Sequence, residues 1–378
     1  MTKRERIIAA LNRERTDRLP FVPLVDGYFV SSLPEQGLNM ELIECLRMVG
    51  CDIIERHVPA VTLHYRNHSY RREENGKATR HIHETPVGTI FQENLLTGKT
   101  SMITKHLVES SEDMKVFTYM AENACFTADF EKFYRRHEFI GDDGIATPSG
   151  PMSPVQEALQ IIAGVENTVY LMNDYPQGTE ALFNAMNERN LRHYKMLAEL
   201  DCPLVFDYED TSSTVMSKEM FVKYSVPPIN EYAGIINSSG KKFVAHMCGK
   251  LSLFADEIGE CRVDGIDCLC PPGTGDFECF DARAKWGNKM VIIGGIDPPS
   301  LNVMTVDETL QTVAGIIRKM PDSKGFILAT GGAVPYGTPI DNLRAVVRLI
   351  ELLGEKSLLR DADEGVVEQA AGEFRKLS

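Results

Sequence analysis

Residues 204–207 read Leu-Val-Phe-Asp, residues 243–246 read Phe-Val-Ala-His and residues 265–269 read Gly-Ile-Asp-Cys-Leu. Each is a short apolar run, and an amphipathic helical stretch separates it from the next run. Apolar strands that alternate with helices are typical of a parallel sheet. The pattern extends in both directions and gives eight predicted strands, Phe21–Val25, Cys51–Glu55, Gly144–Pro148, Leu204–Asp207, Phe243–His246, Gly265–Leu269, Met290–Gly294 and Gly325–Ala329. Eight such strands predict an α/β protein with a closed (β/α)8 TIM barrel.

The segment between the second and third predicted strands is too long for a single crossover helix. We expect residues from about 60 to 142 to form an insertion of antiparallel strands and then helices over the barrel mouth. Within it, Ser69–Glu73, Lys77–Glu84 and Thr89–Asn94 are predicted strands. Asn75-Gly76 predicts a hairpin turn in which both central residues have positive φ.

Composition and charge exclude several classes of protein. The chain has 378 residues, of which 43% are hydrophobic and 25% charged, so it can bury a large core as a single domain spanning 1–378. A net charge of −14 argues against nucleic-acid binding. No apolar run is long enough to cross a membrane, and no secretory signal is recognisable, so we expect a cytoplasmic protein. Nine cysteines, an odd number, favour buried thiols or metal ligands over a disulfide framework.

Several short segments carry a family resemblance, namely Arg4–Leu11, Asp17–Pro20, Thr85–Thr89, Ser149–Pro151, Phe206-Asp207, Gly294–Asp297 and Thr338-Pro339. They resemble the corresponding segments of the uroporphyrinogen decarboxylase superfamily along almost the whole chain. The resemblance implies the (β/α)8 barrel. It leaves the reaction open, because the superfamily includes both cofactor-free decarboxylases and zinc-dependent methyltransferases.

The segment after the first predicted strand argues against porphyrinogen decarboxylation. The resemblance implies that a decarboxylase binds its polycarboxylate substrate there with arginines. Val25–Ser32 contains no arginine and adds the carboxylate of Asp26. Bidentate guanidinium recognition of carboxylates is therefore missing at this place.

His246-Met247-Cys248 ends the fifth predicted strand and indicates a metal site. Residues i and i+2 at a strand end face the barrel axis together, so an imidazole and a thiolate can bind one tetrahedral zinc ion. Active sites of barrels lie at this end of the strands. The superfamily's methyltransferases carry a similar His-x-Cys. The alternative is a buried structural thiol beside a hydrogen-bonded histidine.

The third zinc ligand is the open point. The resemblance implies a cysteine in the loop after the last strand, where this chain has Gly332. Cys270 is the nearest candidate, and strand alternation predicts that it lies on the same side as Cys268, for which we expect an inert core position.

A carboxylate is the alternative ligand, because zinc also binds Asp and Glu oxygens. Asp207, Glu209 and Asp210 are three acids within four positions at the end of the fourth predicted strand. We predict that Asp207 and Glu209 face the pocket as catalytic residues. Asp210 is predicted to cap the next helix.

Five further residues are predicted to bind substrate, namely Asp26, Tyr28, His57, Asp297 and Tyr336. His57 follows the second strand, where a surface or core position is an equal alternative. Asp297 precedes two prolines, so capping of a turn is its alternative.

The predicted function is a zinc-dependent methyltransferase. Zinc can polarise an ether oxygen and so assist departure of the leaving group. The resemblance implies transfer of a methyl group from a small methylated substrate, such as an aromatic methyl ether, to the cob(I)alamin of a partner corrinoid protein. The chain itself has no Asp-x-His-x-x-Gly corrinoid-binding segment. The alternatives are transfer from a methylcorrinoid to a thiol or folate, a metal-free decarboxylase and a non-catalytic barrel.

Overall fold

The structure is a computed structural model that describes residues 1–98 and 100–376. Its strands are β1 Ile53–Glu55, β2 Val61–Tyr65, β3 Ser69–Asn75, β4 Ala78–Thr85, β5 Gly88–Thr97, β6 Thr100–Lys105, β7 Ala124–Ala128, β8 Gly144–Ala146, β9 Ser149–Gly150, β10 Leu204–Asp207, β11 Lys242–His246, β12 Gly265–Leu269, β13 Val291–Ile296 and β14 Phe326–Thr330.

The helices are α1 Lys3–Leu11, α2 Gly27–Val30, α3 Leu42–Val49, α4 Ser111–Glu122, α5 Phe130–Ile140, α6 Pro154–Glu157, α7 Val165–Asp174, α8 Pro176–Glu199, α9 Lys218–Met220, α10 Val226–Ser238, α11 Ala255–Glu260, α12 Cys279–Trp286, α13 Pro298–Val303, α14 Val306–Lys319, α15 Ile340–Leu353 and α16 Glu364–Phe374. Two π-helical turns occur at Ala158–Ile162 and Phe221–Ser225, and short 3-10 turns occur at Leu33–Gln36, Gly141–Asp143, Ser252–Phe254, Gly287–Lys289 and Gly354–Leu358. No helix in these ranges is long and apolar enough to span a bilayer.

A six-stranded parallel sheet in the order β9-β10-β11-β12-β13-β14 is the centre of the molecule. A second parallel pair joins β1 to β8. The predicted α/β class with parallel strands is therefore confirmed. Strands β10 and β12 have the predicted bounds, and the other predicted strands that form differ from the prediction by one to three residues at one or both ends.

The first predicted strand, Phe21–Val25, is not assigned as a strand and makes only isolated bridges to Leu328 and Ala333. Pro20 and Pro23 remove the N–H donors that a continuous ladder needs.

Backbone hydrogen bonds nevertheless join this segment to neighbours on both sides. The Val22 amide donates to the Leu328 carbonyl, and the Asp52 amide donates to the Phe21 carbonyl, each at 2.9 Å. The Phe206 amide donates to the Pro148 carbonyl at 3.1 Å, between β10 and the chain that follows β8. These bonds support the predicted closure of the eight segments into one barrel.

A compact apolar cluster fills the space between these segments. Seven of the eight segments contribute buried side chains to it, and α1 contributes three further side chains. The members are Ile7, Ala10, Leu11, Val22, Ile54, Ile145, Leu204, Phe206, Val244, Val291, Ile293, Ile327 and Ala329. Alternation along each strand sends these residues inward, as expected for a packed barrel interior.

Between β1 and β8 the chain forms an antiparallel sheet in the order β3-β4-β5-β6, an antiparallel β2–β7 pair and the helices α4 and α5. The predicted Asn75-Gly76 turn is wrong by one residue. Asn75 pairs with Ala78 as the last residue of β3, and only Gly76 has a positive φ, at +60°. This arrangement fits hairpins whose first central residue is glycine.

Arg6 of α1 connects that helix to Asp17 and to Asp52, the residue just before β1. Its guanidinium contacts the carboxylates of Asp52 at 2.5 Å and Asp17 at 2.6 Å, and the Arg6 side chain is buried. Asp52 also accepts a hydrogen bond from the Phe21 amide at 3.0 Å.

We expect Arg6→Met to lower the free energy of unfolding by about 3–5 kcal/mol, because it leaves the buried Asp52 carboxylate without its counter-charge. Urea unfolding followed by circular dichroism measures this change. The control is Arg15→Met, which removes an exposed pair with Glu355 and should cost less than about 1 kcal/mol. Equal effects of the two changes would contradict the role assigned to Arg6.

Candidate metal centre and adjoining cavity

Asp210, His246 and Cys248 meet where β10 and β11 end. The Asp210 amide donates to the His246 carbonyl at 2.8 Å, which ties the loop after β10 to the end of β11. Asp210 has a φ of +43°, a conformation that non-glycine residues rarely adopt. This backbone conformation and the hydrogen bond hold the carboxylate beside the imidazole.

The three side chains present one oxygen, one nitrogen and one sulfur to a common point. Asp210 Oδ1 lies 3.3 Å from His246 Nε2 and 3.3 Å from Cys248 Sγ, and all three ligand atoms lie within 4.8 Å of one another. Ligands of a tetrahedral zinc ion are separated by roughly 3.3–3.7 Å, given metal–ligand bonds of about 2.0–2.3 Å. The donor set therefore fits a zinc ion with three protein ligands and an open position.

The other ring nitrogen of His246 is held by a buried ion pair. Asp267 Oδ2 lies 2.8 Å from His246 Nδ1, and Arg56 donates to both oxygens of Asp267 at 2.8 and 3.1 Å. Although burial favours the neutral acid, Arg56 and His246 lower the pKa of Asp267. An ionised carboxylate on Nδ1 orients the ring so that Nε2 faces Asp210 and Cys248, as in carboxylate–histidine–zinc arrangements.

A second group, His246, Asp267 and Cys268, also has its ligand atoms close together. All three residues are buried, and both oxygens of Asp267 are engaged by Arg56. The positive charge of Arg56 opposes a cation at this place, so the group with Asp210 and Cys248 is the better metal site.

Tyr208 and His57 connect this group to the surface. The Tyr208 ring stacks on His246 with a centroid separation of 4.2 Å and an angle of 7°, and its centroid lies 3.7 Å from that of His57. His57 has a φ of +62°. Burial, with the charges of His246 and Arg56, lowers the pKa of His57 to about 4, so its imidazole is neutral at pH 7.

A cavity of about 480 Å³, here called the aromatic cavity, opens beside Tyr208 and His57. Apolar and aromatic side chains from β2 and β7 form one wall, and a buried Arg189–Glu157 ion pair lies in the lining. The wall from β2 and β7 consists of Val61, Leu63, Tyr65 and Phe126, and Met152 and Asn190 also line the cavity. A mostly apolar wall with a few polar groups is typical of small-molecule sites.

Asp207 and Glu209 lie behind the centre and do not line the aromatic cavity. Asp207 is fully buried, and burial raises its pKa well above the ordinary value. Glu209 accepts hydrogen bonds from the backbone amide and the hydroxyl of Ser153. Burial raises the pKa of Glu209 to about 7, and the Ser153 hydrogen bonds oppose that rise.

The predicted capping role of Asp210 is wrong. No helix begins directly after Asp210. The next helix, α9, begins at Lys218 and has Ser217 as its cap. The left-handed backbone at Asp210 instead directs its carboxylate to His246 and Cys248.

Cys270 lies outside both close groups among the described residues. Its sulfur is 3.7 Å from Asp297 Oδ1, and burial raises the pKa of the thiol to about 12. The expected alternation of Cys268 and Cys270 is wrong, because a bulge shifts the β12–β13 register between Ile266 and Leu269, where Cys268 has a φ of +64°. Cys268 consequently faces Asp267, at 3.6 Å.

The remaining predicted substrate residues occupy loop and helix-start positions. Asp26 caps α2 through the Phe29 amide, and Asp297 caps α13 while accepting hydrogen bonds from Thr274. Tyr28 is exposed and packs against Tyr336 with a centroid separation of 5.2 Å. None of these four lines the aromatic cavity.

The model of the uroporphyrinogen decarboxylase (URO-D) family matches residues 99–352, about two thirds of the chain. The chain belongs to the uroporphyrinogen decarboxylase family. A methylated-thiol–coenzyme M methyltransferase of Methanosarcina mazei is 28% identical over 188 residues, which cover 50% of this chain and 48% of that protein. The match thus spans about half the length of this relative.

The solved structure of a methyltransferase from Methanosarcina mazei is similar in fold. It superposes with a TM-score of 0.61 at 14% sequence identity and covers 92% of this chain and 97% of its own. At this identity the similarity concerns the fold alone. The match supports the barrel architecture expected for the family.

Sequence reasoning missed three residues of the candidate centre, namely Asp210 as a candidate ligand, Asp267 and Arg56. Asp210 is one of three neighbouring acids, and Asp210-Thr211-Ser212 predicts a helix cap instead. Asp267 and Arg56 had a weaker signal, since a charged residue inside or directly after an apolar strand needs a buried partner.

We expect Asp210→Asn to weaken zinc binding at least tenfold, because the change replaces the carboxylate among the three proposed ligands by a neutral amide. Competition with a chromophoric chelator measures the dissociation constant. Cys270→Ser is the matched control and should leave the constant within about twofold. Weakening by Cys270→Ser with no effect of Asp210→Asn would assign the third ligand to Cys270 instead.

We expect Asp267→Asn to weaken zinc binding by about 10–100-fold, because the change removes the carboxylate that orients His246. Asp264→Asn is the control: Asp264 lies at the opposite end of β12, where it accepts from the Phe243 amide. Circular dichroism must show that Asp267→Asn is folded, since Arg56 loses its counter-charge. A folded variant with unchanged zinc affinity would exclude this role for Asp267.

Proposed function

We propose that this protein is a zinc-dependent methyltransferase that moves a methyl group from a small methylated substrate to a corrinoid carried by a separate protein. The observation that supports it most is the Asp210–His246–Cys248 group beside the aromatic cavity. The similarity to a methyltransferase over half of the chain points to the same reaction class. We further propose that residues 1–378 form one barrel domain carrying the β1–β8 insertion.

In this proposal His246, Cys248 and Asp210 hold the zinc ion. Bound zinc supplies a Lewis acid that stabilises negative charge on the departing heteroatom. Asp267 and Arg56 keep His246 in the tautomer and orientation that present Nε2 to the ion. Cys270 is the alternative to Asp210 as third ligand. The comparison of Asp210→Asn with Cys270→Ser distinguishes the two.

Asp207 and Glu209 act as positioning residues in this proposal. Glu209 connects the loop after β10 to Ser153 at the start of α6, and so fixes the backbone that carries Asp210. Both acids are fully buried, which excludes direct contact with a substrate in this conformation.

We propose an aromatic methyl ether as the methyl donor. The aromatic cavity has the volume for one substituted ring, and Tyr65, Phe126 and Tyr208 offer ring faces for stacking. His57, neutral and at the rim, is the substrate-binding residue we retain. Tyr28, Tyr336, Asp26 and Asp297 would act from neighbouring loops, because their side chains are engaged in packing or capping.

The zinc-loaded protein should methylate reduced cobalamin, or a reduced corrinoid protein, from a member of a panel of methoxylated aromatics. The cobalamin absorbance spectrum reports the reaction directly. His246→Ala should lower the rate at least about 100-fold, since charge stabilisation by the metal is worth several kcal/mol. Cys261→Ser is the control and should retain activity, since this buried thiol donates a hydrogen bond to the Glu257 carbonyl and belongs to neither candidate metal group among the described residues. Decarboxylation of a porphyrinogen without any methyl transfer would overturn the proposal.

A further inference from the structure

A second cavity, of about 460 Å³, shares His57 with the aromatic cavity. One side is the chain Glu55–Pro59, which leaves β1. The other side is α5, which contributes Lys132, Arg135, Arg136 and Phe139. We call it the cationic cavity. Because His57 lines both cavities, the two adjoin at this side chain.

The cationic cavity stands out against the charge of the whole chain. Its lining carries four basic side chains and the single acid Glu55, whereas the chain has a net charge of −14. A local excess of positive charge in a concave surface concentrates anions there. Val58, Pro59 and Phe139 add apolar surface to the same lining.

The basic groups differ in how firmly they are engaged. Arg56 is committed to Asp267, and Arg136 is bound to Glu55 at 2.6 Å. Arg135 makes only an exposed 3.4 Å contact with Glu131, of the kind worth less than about 1 kcal/mol. Within the described residues the ammonium of Lys132 makes no ion pair. Lys132 and Arg135 are therefore available to a ligand.

We infer that the cationic cavity binds a carboxylate or phosphate group of the molecule whose apolar part occupies the aromatic cavity. The inference rests on the proposed function only in taking that molecule to be the methyl donor. Lys132 supplies a mobile point charge, and Arg135 supplies a planar fork that can bind two oxygens. The methyl donor is then an aromatic or similarly flat acid, with its anionic end beyond His57.

Binding to the metal-depleted full-length chain tests this directly, without corrinoid or zinc. The first probe is inorganic phosphate, titrated by calorimetry at low salt. The second is a pair of matched ligands, 4-methoxybenzoate and 4-methoxybenzamide, which differ in charge but hardly in shape. We expect the benzoate to bind roughly tenfold more tightly, with the difference shrinking at 0.5 M salt, since ions screen exposed charges.

The double change Lys132→Gln/Arg135→Gln should weaken phosphate and benzoate binding at least fivefold and leave benzamide binding unchanged. The control Lys115→Gln/Arg15→Gln makes the same change in net charge at exposed residues elsewhere, and should alter each affinity less than twofold. Equal affinity for the two aromatic ligands, a preference that survives the double change, or no binding of either anion would overturn the inference. A benzoate preference that the double change abolishes, combined with no methyl transfer by the zinc-loaded protein, would reject the proposed function while leaving the anion site intact.

Discussion

The buried ion pair between Arg56 and Asp267 is the constraint on which the candidate centre depends. Arg56 follows β1, Asp267 belongs to β12 and His246 ends β11, so two side-chain contacts connect segments that are far apart in the chain. A buried charge without its partner costs several kcal/mol, and this cost holds the three groups together. The same backbone turn at Arg56-His57 also places His57 in the lining of both cavities.

The sequence predicted most accurately those elements whose pattern is local. Strands β10 and β12 are mostly apolar runs and form with the predicted bounds. The Phe21–Val25 run is equally apolar, but its prolines reduce it to isolated bridges. His246 and Cys248 lie together as predicted, because their separation by two residues at a strand end suffices to bring them together. Closure of the barrel stays a prediction that the inter-segment hydrogen bonds support.

The position of the Asp210 carboxylate illustrates what a periodic pattern cannot predict. Alternation assumes an extended backbone, whereas Asp210 and Cys268 both have positive φ. At each of these two residues the positive φ turns the side chain toward His246, whereas a regular strand would direct it elsewhere. The sign of φ at a non-glycine residue depends on tertiary contacts, here the hydrogen bond from the Asp210 amide to the His246 carbonyl.

Strain and packing together explain why the site has this composition. Among the described residues, six non-glycine positions have positive φ, and His57, Asp210 and Cys268, half of them, surround His246. Residues in such conformations persist where the surrounding structure determines them, and they concentrate at functional sites. The loop after β14 offers no alternative ligand: Gly332 has no side chain, and a Cβ on Gly331 would lie 2.6 Å from the Cys270 sulfur. Cys270 thus fills the space against this loop, and the carboxylate oxygen that lies beside His246 and Cys248 comes instead from Asp210 in the loop after β10.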